Sequence, residues 1–174
     1  MAGDSKHPNS RACKTLTRER LLQLLRYDPE AGIFRWISRR GVTAGSIAGS
    51  PCNGYNVIRV DGQNWRASHL AVLIMTGDFP ANEVDHIDCN PANDRWSNLR
   101  EATRSQNGWN TRVSKRSKSG LKGAYWHNQM KKWRAQVLEN GRCKHIGLFD
   151  TAEDAHAAYV VEAVRIAGEF ARIK

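Results

Sequence analysis

The chain has little cysteine and no long apolar run, and both shortages exclude classes of protein. Its four cysteines stand at positions 13, 52, 89 and 143, so none lies within four residues of another. Zinc knuckles need cysteine pairs at such short spacings, and the pattern therefore predicts no structural zinc. No apolar stretch approaches the ~20 residues of a membrane-spanning helix. The polar first fourteen residues lack the apolar segment of a secretory signal, so we expect a cytoplasmic protein with reduced thiols.

Acidic residues are also scarce, and the resulting positive charge is concentrated in one region. The chain carries 27 Lys and Arg against 17 Asp and Glu, a formal net charge of +10. Residues 112–146 hold ten basic residues and a single acid, Glu139, which gives that window +9. A basic surface confined to one region predicts a polyanionic partner. Double-stranded DNA fits better than a membrane, because the sequence predicts no basic amphipathic helix.

The composition describes a folded α+β protein in which the chain divides into four parts. These are a disordered tail over residues 1–14, a first domain over 15–111, a basic Ser-rich linker over 112–120, and a second domain over 121–174.

Capping and turn residues predict the elements of both domains. Thr17 is expected to begin a helix whose apolar face consists of leucines 21, 22, 24 and 25, and Ser68 to begin another that reaches about Met75. Asp61-Gly62 predicts a hairpin between residues 55–60 and 63–67. The second domain is expected to be a three-stranded antiparallel sheet packed on one helix, over residues 123–126, 132–138, 142–149 and 151–168.

Residues 84–107 carry the set of side chains best suited to chemistry. Asp85 and His86 lie in a short predicted strand, Asn98 begins the predicted return strand, and Asn107 follows on a helix that Thr103 is expected to cap. Carboxylate and amide oxygens are ligands for a hard divalent cation. A neutral imidazole can deprotonate water near neutral pH, and an amide can hold that imidazole. The set therefore predicts metal-assisted hydrolysis of a phosphodiester.

The spacing of this set resembles the HNH nuclease signature, particularly that of phage-type homing endonucleases. The likeness covers nearly all of residues 27–110, through the motifs Tyr27-Asp28-Pro29-Glu30-x-Gly32-x-Phe34-x-Trp36, Gly54-Tyr55, His69-Leu70-Ala71, Gly77-x-x-Pro80 and Asp85-His86-Ile87-Asp88. The resemblance implies a ββα-metal fold. It also implies Asp85 and Asn107 as ligands of Mg²⁺ or Mn²⁺, His86 as the general base, and Asn98 as the residue that orients His86.

The loop between the two predicted strands departs from the family pattern. Family members often carry Asp-Asn-Arg where this chain has Asn93-Asp94-Arg95, and glycine where it has Cys89. Among the neighbours of the set, Arg95 is preferred over Arg100 and Arg104 as a clamp for a DNA phosphate. Asp88 is interpreted as a turn former rather than a second metal ligand, and His69 as a packing residue.

The second domain resembles the ethylene-response-factor (Apetala-type) DNA-binding domain over about residues 120–170, most specifically from Ile146 to Tyr159. The resemblance implies that the open face of its sheet enters the DNA major groove. Trp133 is interpreted as a core residue, whereas Trp126 is left open between packing and DNA contact. The residues expected to bind DNA are Lys122, Trp126, Arg134, Gln136, Arg142, Lys144 and His145.

These patterns together predict a metal-dependent DNA endonuclease of phage or mobile-element homing type, acting in a bacterial or phage-infected cell. One active site per chain is compatible with a monomer, and with either nicking or double-strand cutting, and no obligate protein partner is evident. One alternative is a non-catalytic, sequence-specific DNA-binding regulator with a vestigial nuclease fold, against which the complete set of Asp85, His86, Asn98 and Asn107 argues. Another is a non-specific nuclease of defence or DNA packaging, against which the dedicated sheet domain argues.

Overall fold

The computed structural model describes residues 16–37, 40–139 and 141–173, and the predicted disordered tail lies outside these ranges. The described part is a mixed α+β protein with small antiparallel sheets, and it forms two compact units that divide between Glu101 and Ala102. None of its helices is long and apolar enough to cross a membrane. The helices are α1 (Arg18–Leu24), α2 (Ala67–Thr76), α3 (Arg104–Trp109) and α4 (Ala152–Ala167). The strands are β1 (Leu25–Asp28), β2 (Ile33–Trp36), β3 (Ser50–Cys52), β4 (Tyr55–Val60), β5 (Gln63–Arg66), β6 (Glu83–His86), β7 (Leu99–Ala102), β8 (Ala124–His127), β9 (Lys132–Glu139) and β10 (Arg142–Phe149).

The first unit contains α1, α2 and three antiparallel sheets, ordered β1-β2, β3-β4-β5 and β6-β7. Its core is centred on α2, in which six of ten residues are buried. The predicted hairpin of β4 and β5 is confirmed, because Asp61 and Gly62 both adopt left-handed backbone with φ of 46° and 83°. Such a two-residue turn follows the natural twist of the strands and fixes the register that buries Ile58 opposite Trp65.

The starts and ends of the two helices in this unit differ partly from expectation. Thr17 caps α1 as predicted, since its hydroxyl accepts a hydrogen bond from the Arg20 amide at 3.2 Å. The helix stops at Leu24, and Leu25 is a buried strand residue, so the expected four-leucine helical face is divided between α1 and β1. The prediction that Ser68 caps α2 was wrong. The chain passes directly from β5 into the helix after Arg66, and Ser68 is buried in the first turn.

The second unit is the predicted three-stranded sheet, ordered β10-β9-β8, with α4 packed on one face. Thr151 caps α4 by accepting from the Asp154 amide at 3.1 Å, and Gly168 ends the helix. Helix and sheet approach closely at Gly123, where an added Cβ would lie 2.0 Å from Cγ of Tyr159. Only glycine fits there, and its φ of +77° also favours glycine.

Helix α3 belongs to the second unit rather than to the first. Its Trp109 packs against the buried cluster of Val137, Tyr159 and Ala163. The structural division at residues 101 and 102 therefore lies about ten residues before the predicted domain boundary at 111.

Candidate active site

Strand β6 carries the Asp-His pair, and both side chains are buried. Asp85 is 3% exposed and His86 is 6% exposed. Neighbouring residues of a strand point to opposite faces, so the two functional groups lie on opposite sides of β6. The segment before β7 is joined to the end of β6, because the Ile87 amide donates to the Asn98 carbonyl at 2.9 Å. The chain thus returns alongside the pair through the loop of residues 88–98.

The carboxylate of Asp85 is paired with a guanidinium group. Both Nε and Nη2 of Arg100 lie 2.9 Å from Oδ2 of Asp85. Arg100 is itself only 16% exposed at its side chain, so the pair is largely removed from water. A buried carboxylate without a cation would be strongly unfavourable, and Arg100 supplies that compensation. Arg100 was considered as a phosphate clamp, and this contact gives it a partner within the first unit. Arg95, which was preferred for that role, has an exposed side chain on the loop.

The imidazole of His86 is paired with a residue that the sequence did not single out as functional. Nε2 of His86 lies 3.1 Å from Oδ1 of Asp94, and the Asp94 side chain is 2% exposed. The Tyr55 ring lies beside the imidazole, with ring centroids 6.1 Å apart. A signal for Asp94 was present in the sequence, because Asn93-Asp94 reverses the order of the family's Asp-Asn.

The loop between β6 and β7 is held by amide and carboxylate side chains. Asp88 Oδ1 accepts from the Asn90 amide at 2.7 Å and from Nδ2 of Asn98 at 3.0 Å, and its Oδ2 accepts from Nδ2 of Asn93 at 2.7 Å. Nδ2 of Asn98 also donates to the Asn93 carbonyl at 2.8 Å, and its Oδ1 accepts from the Asp88 amide at 3.0 Å. Asn98 therefore acts on the loop itself, whereas its expected role of orienting His86 stays a prediction.

The same contacts set the ionisation of Asp88. Burial alone would raise the pKa of this carboxyl group, but the hydrogen bonds from Asn93, the Asn90 amide and Asn98 outweigh burial and lower it, with a further contribution from nearby His86. An ionised carboxylate that accepts from three neighbours is a turn former, which agrees with the interpretation of Asp88 from the sequence.

His69 is a neutral side chain on the half-buried face of α2. Burial, with smaller contributions from nearby Arg66 and His86, lowers the pKa of His69 to about 4. A histidine of this kind suits the packing role that was predicted for it.

Asn107, the second predicted metal ligand, lies in the second unit. Thr103 caps α3 with a full capping box, in which its hydroxyl accepts from the Gln106 amide at 3.3 Å and Oε1 of Gln106 accepts from the Thr103 amide at 2.8 Å. Asn107 follows in the first turn, with its amide bonded to the Thr103 carbonyl at 2.9 Å. The first unit thus brings together Asp85, His86 and Asn98, and the pairing of Asp85 with Asn107 remains a prediction.

The chemistry of these donors fits a hard divalent cation. The Asp85 carboxylate is a hard oxygen donor whose charge Arg100 already compensates, and Asn107 remains the second predicted donor. Among the residues that the structure describes, no group of three or more His, Cys, Asp and Glu side chains could hold a metal ion. A metal at Asp85 would therefore complete its coordination with amide, water or phosphate oxygens.

The open face of the second unit's sheet carries part of the predicted DNA-binding set. Tyr125, Arg134 and Leu148 lie opposite one another across the three strands, and Gln136 lies opposite His145. Alternation along β9 directs Ala135 and Val137 to the other face, where α4 covers them. Nε of Arg134 is buried and has no hydrogen-bond partner among the residues that the structure describes.

Four other residues of the predicted set differ in their surroundings. Lys144 lies opposite Val137 on the helix side, and its Nζ donates to Glu162 at 2.9 Å. Arg142 lies opposite Glu139 on that same side, at the hairpin end. Trp126 also faces the helix side, in edge-to-face contact with Trp133 at 5.2 Å between ring centroids. Nζ of Lys122 donates to the carbonyls of Trp109 and Thr111 at 2.6 and 3.0 Å, which ties the end of α3 to the sheet.

Comparison with known proteins identifies the family. The model of the HNH endonuclease family matches residues 65–109, a segment that contains Asp85, His86, Asn98 and Asn107. Protein 3.8 of Escherichia phage T7 is 37% identical over 92 residues, which cover 52% of this chain and 74% of that protein. The chain therefore contains an HNH endonuclease domain.

A second viral relative carries the HNH name. The uncharacterized HNH endonuclease L560 of Acanthamoeba polyphaga mimivirus is 35% identical over 120 residues, or 68% of this chain and 62% of that protein. No solved structure matches the chain at a significant level. The family model ends at residue 109, so it includes α3 but not the sheet and α4 of the second unit.

Proposed function

We propose that this protein is a metal-dependent DNA endonuclease that hydrolyses phosphodiester bonds. The observation that carries the proposal is the buried pair of Asp85 and His86 within the segment matched by the HNH endonuclease family. Asp85 and His86 project from opposite sides of one strand, so one can hold a cation while the other handles a proton. In the reaction a water oxygen forms a new bond to phosphorus, one sugar-phosphate P–O bond breaks, and the departing oxygen takes up a proton from solvent.

The proposed metal ligands are Asp85 and Asn107, with Mg²⁺ or Mn²⁺ as the cation. A bound divalent ion supplies stabilisation of negative charge on the scissile phosphate. Within the chain, Arg100 keeps the Asp85 carboxylate in one orientation through two contacts at 2.9 Å. His86 accepts the proton that the attacking water loses. Asn98 fixes the loop beside His86 through its bonds to Asp88 and Asn93.

The second unit is proposed to hold the DNA through the open face of its sheet. Arg134, Gln136 and His145 offer donors on this face, and the helix-covered face is occupied by core residues. Arg95, on the loop beside the active site, is proposed to contact a phosphate. We leave Lys144 and Trp126 out of this surface, since their contacts are with Glu162 and Trp133 on the other face.

The homing type is proposed from the viral relatives and from the likeness of residues 27–110 to phage homing endonucleases. A homing enzyme recognises a long site, whereas a nuclease of defence or packaging cuts random sequence. Cleavage of a random-sequence library followed by sequencing of the ends separates the two, because a homing enzyme leaves ends at one sequence.

Cleavage of supercoiled plasmid tests the catalytic proposal directly. The protein is incubated with Mg²⁺, with Mn²⁺ and with EDTA, in parallel with the His86→Ala variant. We expect metal-dependent nicked or linear product, absent in EDTA and in the variant, while a gel-shift assay finds DNA binding by the variant unchanged. Tight binding without cleavage of any plasmid or library DNA would instead favour the non-catalytic regulator.

A matched pair of substitutions tests the proposed DNA-binding face. Arg134→Ala and Lys144→Ala each remove one positive charge from neighbouring strands, but from opposite faces of the sheet. We expect Arg134→Ala to weaken binding and to lower the slope of log K against log salt by about 1, as loss of one phosphate contact would. Lys144→Ala should leave both nearly unchanged, and equal effects of the two variants would contradict the proposed face.

A further inference from the structure

Asp94 is the most deeply buried charged side chain beside the catalytic pair. Its side chain is 2% exposed, and both of its carboxylate oxygens are engaged. Oδ1 lies 3.1 Å from Nε2 of His86, and Oδ2 accepts from Nδ2 of Asn56 at 2.8 Å. A carboxylate is not buried this far without a compensating role, because its desolvation is unfavourable.

The position of Asp94 is fixed from several parts of the first unit. The Tyr27 hydroxyl donates to the Asp94 backbone carbonyl at 2.7 Å, and the Trp96 amide donates to the Pro29 carbonyl at 2.9 Å. Nδ2 of Asn56 also donates to the Ala92 carbonyl at 3.0 Å, so one amide holds both the backbone and the side chain of the loop. These contacts leave the carboxylate one orientation, in which Oδ1 faces His86.

The hydrogen-bond roles along this chain of groups are determined. Asn56 can only donate through Nδ2, so Asp94 accepts from it. A carboxylate also accepts from His86, and Nε2 of the imidazole must then carry a proton. In a neutral ring only one nitrogen is protonated, and Nδ1 therefore keeps its lone pair.

We propose that Asp94 is the positioning residue for His86, which fixes the Nε2–H tautomer and directs Nδ1 toward the attacking water. The proposal rests on the proposed function, and it gives Asp94 the orienting role that the family resemblance implied for Asn98. The water transfers one proton to Nδ1, while the other proton stays on Nε2 and is donated in the hydrogen bond to Asp94 Oδ1. Asn98 acts on His86 only indirectly, since its amide holds the loop from which Asp94 projects.

The isosteric substitution Asp94→Asn separates this role from packing. An asparagine amide has one accepting and one donating end, but both neighbours of Asp94 are donors. If the introduced amide oxygen accepts from Nδ2 of Asn56, the amide NH₂ group faces His86. The imidazole must then accept at Nε2, so its proton moves to Nδ1. The variant fills the same volume, so a purely structural Asp94 would leave the tautomer as it is.

Nitrogen-15 NMR of the imidazole rings tests the tautomer without reference to cleavage. Spectra are recorded at alkaline pH, where free histidines are neutral, and the His86 signals are assigned by their loss in His86→Gln. We expect protonated Nε2 in the wild type and a shift of population toward protonated Nδ1 in Asp94→Asn. Asn93→Ala is the matched control, because it removes a loop contact to Asp88 without touching the partner of His86.

Cleavage kinetics supply the second readout. We expect Asp94→Asn to lower kcat by a factor on the order of 10²–10⁴, the usual range for losing a general base, with KM for DNA changed little. A wild-type spectrum with protonated Nδ1, or an Asp94→Asn variant with unchanged tautomer and kcat, overturns the proposal. Absence of cleavage by the wild type under every metal condition refutes the nuclease function separately, because the tautomer measurement does not depend on it.

Discussion

Gly32 offers the sharpest test of how the first unit supports its active-site loop. This glycine closes the turn between β1 and β2, with φ of +71°, and its amide donates to the Asp28 carbonyl at 2.8 Å. A Cβ added there would lie 2.4 Å from the Arg95 nitrogen and 2.6 Å from the Asp94 carbonyl carbon. The obstacle is backbone rather than the end of a flexible side chain. We therefore predict that Gly32→Ala displaces the segment that holds Asp94 against His86.

The expected free-energy change has two separable parts. A non-glycine residue in left-handed backbone costs about 1–2 kcal/mol. The 2.4 Å contact is about 1 Å shorter than the 3.4 Å at which ordinary contact begins, so the loop must move by that amount. Overpacking of this kind costs about 1–3 kcal/mol. Gly32→Ala should therefore destabilise the first unit by about 2–5 kcal/mol.

Gly62→Ala provides the matched control within the same unit. Gly62 has φ of +83°, but no described residue has an atom within 4 Å of its added Cβ, so this variant isolates the backbone strain. Hydrogen exchange of the β1, β2 and β4 amides reports the stability of the first unit alone. We expect Gly62→Ala to lower the free energy of unfolding by about 1–2 kcal/mol, and Gly32→Ala to lower it by a further 1–3 kcal/mol.

Cleavage provides a second comparison between these variants. A displacement of about 1 Å at a catalytic group can lower the rate on the order of 100-fold. The cleavage rate of Gly32→Ala should fall by this factor even under conditions in which the variant is fully folded, whereas Gly62→Ala should cleave at the wild-type rate. Equal stability and equal cleavage in the two variants would refute the reasoning that the β1–β2 turn supports the loop.

Three further predictions follow from particular residues. Cys89→Gly should stabilise the first unit by about 1 kcal/mol, because Cys89 has φ of +57°, and an unchanged urea midpoint would contradict this. His69 has a pKa of about 4 in the folded protein, so between pH 4 and ~6.5 the unfolded chain binds one more proton than the folded chain. The free energy of unfolding should therefore fall as the pH falls, by up to about 2–3 kcal/mol. Thermal unfolding across this range should show a steeper dependence of stability on pH for the wild type than for His69→Gln. Arg100→Leu should destabilise the first unit by about 3–5 kcal/mol by removing the guanidinium that compensates the buried Asp85 carboxylate, and millimolar Mg²⁺ should recover more stability in this variant than in the wild type.

Local signals in the sequence predicted the elements well where one residue type decides the geometry. Asp61-Gly62 set the β4–β5 hairpin because both positions need left-handed backbone, and Thr103 and Thr151 set helix starts through their hydroxyl groups. Ser68 failed as a cap for a tertiary reason. The chain enters α2 directly from β5, so the helix starts before the serine and buries it.

The sequence predicts residues for the candidate site but does not predict their pairings. Spacing identified Asp85 and His86, because family motifs preserve position along the chain. The partners Arg100 and Asp94 follow from how β7 and the loop fold back beside β6, which no local pattern encodes. The alternation of side chains along β10 likewise did not settle which of them face the open side of the sheet. The bulge between His145 and Gly147 shifts the register, and only the paired strands assign His145 to the open face and Lys144 to the helix side.

The two buried pairs explain why the Asp-His motif occupies adjacent positions of one strand. Asp85 and His86 project to opposite faces of β6, and each meets a partner of opposite charge character, a guanidinium for the carboxylate and a carboxylate for the imidazole. Moving either residue by one position would exchange the faces and set Asp85 against Asp94, and His86 against Arg100. Both exchanged contacts bring like groups together in a buried environment, where repulsion is weakly screened. The order Asp-His in β6 is therefore fixed by the partners in β7 and the loop, as much as by the reaction itself.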